Sequence, residues 1–193
     1  MKLEKSVVRP AADKGAQRVA AALVKLSGQE VEVKVGSFEI FPLIDALHKI
    51  NITEERMVII YSKFLTKLPG AAILAMPQDN ALRLVDLLYK KPVGTTGVLR
   101  NMDRDALRET LNIVANTFTT ALSDALKINV GLGVPGFVTL GRLREVVAAS
   151  IDKGAEEGDM AIFFEIKINI SLLHFDAKLY LFFNHRLAEG LVG

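Results

Sequence analysis

Three observations predict an α+β fold made of two pseudo-twofold-related halves, internally duplicated. The halves share one mainly antiparallel sheet, with long helices packed on it. The first observation is residues 105–126, the longest clean helical pattern in the chain. Here Leu107, Leu111, Val114, Phe118, Ala121, Leu122 and Ala125 recur at steps of one, three and four, which gathers them on one helix face. The second is a set of β-rich runs at 31–40, 57–65, 71–76, 160–172 and 177–183. The third is their order, which reads helix, strand, helix, strand, strand, helix, and then repeats.

Composition bounds the answer. At 193 residues the chain is long enough for one domain, or one duplicated domain, and 50% hydrophobic content supports a large core. It contains no Cys, which excludes disulfides and thiolate metal sites and fits a reducing compartment. The net charge is +2 with both signs interleaved, unlike the clustered Lys and Arg of a nucleic-acid surface. No apolar run approaches the ~18 residues of a membrane span. The opening MKLEKSVVRP has charge but no apolar signal core. These features predict a cytoplasmic protein without membrane insertion.

Taken in order, residues 10–26 form an Ala-rich helix that Gly28 stops. Residues 31–40 alternate as a strand with an irregularity at Gly36. A short helix at 43–49 precedes the strand 57–65. Pro69-Gly70 then turns the chain back into the antiparallel strand 71–76. Pro77 opens a helix continuing over 79–89, and KPVGTT at 91–96 is linker-like. After the long helix, a strand over 130–140 and a short helix over 142–150 follow. A polar loop at 153–159 leads into the strands 160–172 and 177–183, and a final helical segment covers 184–191.

A shift of 99 positions lays Ala121 and Leu122 on Ala22 and Leu23, Val134 on Val35, Phe137 on Phe38 and Leu143 on Ile44. A slightly larger shift lays MAIFF, from Met160, on MVIIY, from Met57. Duplication explains order and spacing together. The expected organisation is one domain with pseudo-repeat halves at about 1–95 and 96–193.

The helix 105–126 also carries a polar stripe. Asp105, Glu109, Asn112 and Asn116 step by four, three and four. Glu109 and Asn112 lie side by side. Asn is a costly helix-interior residue, by about half a kcal/mol relative to Ala. Pro135 follows Asn112 after 22 residues.

This spacing resembles the motif of the CheC/CheX/FliY phosphatase family of chemotaxis: Asp or Ser, x3, Glu, x2, Asn, x22, Pro. The resemblance implies a CheC-like fold and hydrolysis of the aspartyl phosphate on a CheY-type response regulator. It implies that Asn112 orients the attacking water and that Glu109 pairs with a lysine of the regulator. Asp105 and Pro135 are supporting positions, Pro135 shaping the chain beside the helix. It implies no cofactor of the chain's own, since the phosphate and its Mg2+ belong to the partner. Such chemistry depends on positioning and electrostatics and needs no nucleophile from the phosphatase. An amide can hold water near a phosphoryl group without adding negative charge. The same resemblance admits a non-catalytic adaptor that binds CheD or sits in the flagellar switch.

The first half departs from the motif. The 99-position shift places Ser6, Pro10, Asp13 and Gly36 in the four slots, and only Ser6 is allowed there. One working site is therefore expected. The bland alternatives are a solvated face for Glu109 and Asn112, a first-turn acid favoured by the helix dipole for Asp105, and plain surface for Asn116. His48, His174 and His185 lie far apart without carboxylates at ligand spacing, so no metal site is expected. No GxSxG occurs, and KPVGTTG lacks the GK[ST] of a phosphate loop. Gly131, Gly133 and Gly136 fall at GxGxxG spacing, but the run follows a helix and precedes or interrupts a strand, the wrong context for a dinucleotide loop.

Overall fold

A computed structural model describes residues 5–42, 45, 48–50, 52, 56–65, 69–126, 130–151 and 160–184. The elements follow in the order α1 (Lys5–Ser27), β1 (Glu32–Pro42), β2 (Met57–Lys63), β3 (Gly70–Pro77), α2 (Gln78–Leu88), α3 (Asn101–Leu126), β4 (Gly136–Phe137), α4 (Leu140–Ile151), β5 (Met160–Ile170) and β6 (Phe175–Asn184). The segments 43–49, 153–159 and 184–191, expected as helix, loop and helix, lie mostly or wholly outside the described residues, and Asn184 itself ends β6.

The strands form one sheet in the order β1-β5-β6-β3-β2-β4, with every pairing antiparallel. Exchanging β1 with β4, β5 with β2 and β6 with β3 reproduces that order read backwards. The sheet thus has the symmetry that the repeated element order predicts, with its axis between β6 and β3.

Alternation along the strands sorts the core into two layers. On one face Leu74, Met76, Phe164, Ile166, Leu181 and Phe183 pack under α1, α2 and α3. On the other, Ile59, Ile73, Phe163 and Phe182 pack under Leu143 and Val147 of α4. The central β3 is buried along nearly its whole length, as a strand covered on both faces must be. Against α3, α1 comes close at Gly15, where an added Cβ would stand 2.9 Å from the Phe118 ring. Arg18 of α1 also pairs with Asp124 of α3 at 3.1 Å.

Two expectations are corrected in the second half. The long helix begins at Asn101, four residues earlier than its apolar periodicity indicates. Its first-turn acid is Asp103, whose carboxylate accepts the Arg100 amide at 2.8 Å; Asp105 is one position pair further in. The strand expected over 130–140 contracts to Gly136–Phe137. The cause is local composition, with Gly131, Gly133, Pro135 and Gly136 in one stretch. The chain still follows β2: Leu132 bridges Phe64, and the Gly133 amide donates to the Lys63 carbonyl at 2.8 Å. Gly136 then pairs with Tyr61, so Val134 and Pro135 together stand opposite Ser62 alone. That two-for-one arrangement is a bulge, one of the few sheet positions where proline costs no ladder bond.

The corresponding bulge in β1 lies between Val35 and Ser37, at the expected Gly36. The strand register places the halves one residue away from the 99-position shift. Phe38 faces Phe164, whereas Phe137 faces Ile60, the counterpart of Phe163.

The linker after α2 is tethered from within. Asp86 is fully buried and accepts hydrogen bonds from the amides of Gly94, Thr95 and Thr96 and from the Thr96 hydroxyl, at 2.6–3.0 Å. Gly94 takes a φ of 96°, open to glycine without strain. The amides that gave KPVGTTG its faint likeness to a phosphate loop are thus turned onto the chain's own carboxylate.

Candidate functional site

The outward face of α3 carries the stripe because its inward face is fully committed. Leu107, Leu111, Val114, Ala115 and Phe118 are each 0% exposed. Asp105 and Glu109 are exposed, and Asn112 and Asn116 are half-buried. Asn112 donates its amide to Glu109 across a long 3.5 Å, and its carbonyl accepts the Asn116 amide at 2.7 Å. Asn116, expected as plain surface, therefore holds the Asn112 carbonyl and turns the Asn112 NH2 toward Glu109. An amide has two donor hydrogens and two acceptor lone pairs, so Asn112 keeps one of each for another molecule. Asp105 is drawn away from this chain of contacts and pairs with Arg108 at 2.6 Å.

Pro135 stands at the bulge that leads into β4. Two residues on, Phe137 pairs with Ile60 and meets α3 directly. The guanidinium carbons of Arg104 and Arg108 lie 5.2 and 5.3 Å from the centre of its ring, a cation–π arrangement. This contact ties the proline-bearing segment to the first half of α3. Arg104 and Arg108 were not anticipated as part of the site, although the sequence carries the signal: positions 104, 108, 112 and 116 step by four and form one ridge.

The 99-position shift sets Pro10 and Asp13 opposite Glu109 and Asn112. Pro10 is exposed on α1, and Asp13 pairs with Arg9 at 3.2 Å. Among the described residues no three His, Asp or Glu side chains are grouped so as to hold a metal ion, and no helix is long and apolar enough to cross a membrane.

No protein-family model matches the chain. Solved structures do. FliY of Thermotoga maritima superposes with a TM-score of 0.71 at 15% identity, covering 99% of this chain and 96% of that one. A chain of the FliG–FliM complex of H. pylori gives 0.58 at 13% identity, over 97% and 100% of the two chains. A CheC-like superfamily protein from Shewanella sp. PV-4 gives 0.58 at 13%, over 94% and 99%. The fold is that of the CheC, FliY and FliM domains. The likeness that the α3 motif carries in sequence is matched by the whole architecture, from α1 to the last strand.

Proposed function

We propose that this chain is a cytoplasmic chemotaxis phosphatase that hydrolyses the aspartyl phosphate of a CheY-type response regulator, with one working site on α3. The observation that carries the reading is the Glu109–Asn112 pair. It stands on the open face of a helix whose other face is buried, with amide capacity left unused on Asn112. α3 would enter the regulator's phosphorylation pocket, where the acyl phosphate and Mg2+ reside. Asn112 would hold the attacking water in line, and Glu109 would take a lysine of the regulator and so fix the docking. Positioning of this kind accounts for a large share of phosphoryl-transfer rates. Asn116 would keep the Asn112 amide in its working orientation, and Pro135 would hold β4 beside the helix.

The second reading is a non-catalytic adaptor, with CheD or the flagellar switch as partner. It is favoured by the H. pylori FliM middle domain, which has the same fold, and by the match to a chain of the H. pylori FliG–FliM complex. The two readings part on one experiment. Phosphate release from a phosphorylated CheY-type regulator with Mg2+ is followed with the full chain and with Glu109→Ala. The phosphatase reading expects acceleration by the wild type and a raised KM in the variant. Binding without acceleration would assign the adaptor.

A further inference from the structure

Two cations stand on the ridge immediately N-terminal of Asn112. Arg104, Arg108, Asn112 and Asn116 follow one another on α3 one turn apart. Both guanidiniums lie against the Phe137 ring, 5.2 and 5.3 Å from its centre, and the pairing of β4 with β2 holds that ring in place. Arg108 shares its charge with Asp105 at 2.6 Å. Arg104 is exposed and, among the described residues, has only the aromatic ring for a partner. Like charges one helical turn apart disfavour the helix, and packing on a ring leaves the outward N–H groups open. A guanidinium offers a planar fork of donors that matches carboxylate or phosphoryl oxygens in pairs. The platform therefore presents the Arg104 fork and the Arg108 fork, one arm of which Asp105 already holds, on the N-terminal side of the Glu109–Asn112 pair.

We propose that Arg104 and Arg108 form an anion-binding rim of this site, engaging anionic oxygens of the phosphorylated partner. The inference rests on the phosphatase reading. The oxygens belong either to the phosphoryl group or to carboxylates around it, and kinetics separates the two. Arginines touching the phosphoryl group in the transition state change kcat, whereas arginines docking on carboxylates change KM.

The test uses the full chain, with Arg104→Ala, Arg108→Ala and Arg104→Lys beside Asn112→Ala. Phosphate release from the phosphorylated regulator is measured over regulator concentration at low and high salt. Binding of the regulator activated with beryllofluoride is measured in parallel, and unchanged melting temperatures verify folding. Each alanine variant is expected to lose roughly tenfold in kcat/KM or in binding and part of the salt sensitivity, and Arg104→Lys to show only part of the Arg104→Ala loss. If the arginine variants equal wild type in kcat, KM, binding and salt response while Asn112→Ala is inactive, the rim is refuted and the phosphatase reading stands. If wild type binds but does not hydrolyse, the phosphatase reading fails and the rim is decided by binding alone, weakened binding upholding it and unchanged binding refuting it. If wild type neither binds nor hydrolyses, both fall.

Discussion

Asn112 and Asp86 are two polar side chains with opposite fates. Asn112 is half-buried and keeps amide capacity to spare, while Asp86 is fully buried and saturated. Burial by itself would raise the Asp86 pKa. The hydrogen bonds from the Thr96 hydroxyl and from the amides of Thr96, Gly94 and Thr95 outweigh it and hold the carboxyl below its ordinary 3.8. A carboxylate with a depressed folded-state pKa contributes stability above its unfolded-state value and loses it as pH falls through the folded-state value. Asp86→Asn should cost about 1–3 kcal/mol at pH 7, because buried donors lose their acceptor. Urea midpoints should show the gap to wild type narrowing below about pH 3.8. The importance of Asp86 was hidden in sequence, where it is one acid on an amphipathic helix and its partners are ten residues on. The Glu109–Asn112 pair was legible because its spacing on the helix is local. The Asn116 contact and the arginine platform were less so, the latter because Phe137 reaches α3 through tertiary packing.

At the scale of elements, α3 shows where periodicity is a sound guide and where it stops. Its buried face was readable from apolar steps. Its start was not, because Asn101, Met102, Asp103 and Arg104 carry no apolar rhythm and the cap depends on one carboxylate. The shortened β4 shows the converse: apolar residues mark a strand, but the glycines and Pro135 around them turn most of it into a bulged edge. Packing of α1 on α3 turns on Gly15. In an open helix Gly→Ala stabilises by roughly 0.5–1 kcal/mol. Here the new methyl would meet the Phe118 ring, which is fully buried and lies edge-on to Phe164. Gly15→Ala should therefore destabilise, by about 1–3 kcal/mol as overpacking does, and denaturant unfolding reads the sign directly.

At the scale of the molecule, the palindromic strand order and the paired bulges at Gly36 and Val134–Pro135 support the proposal that one domain arose from halves near 1–95 and 96–193. Order and hydrophobic pattern made that symmetry visible in the sequence. The one-residue difference in register was not visible, because strand pairing alone defines it. If only the second half works, Asp13→Ala should leave phosphate release unchanged within error. The phosphatase reading turns on α3. The measurement that tests it most directly is the rate of phosphate release from a phosphorylated CheY-type regulator with Mg2+, compared without addition, with wild type and with Asn112→Ala. The phosphatase reading expects acceleration by wild type and a loss of roughly a hundredfold or more in the variant. Equal rates for wild type and Asn112→Ala would contradict it.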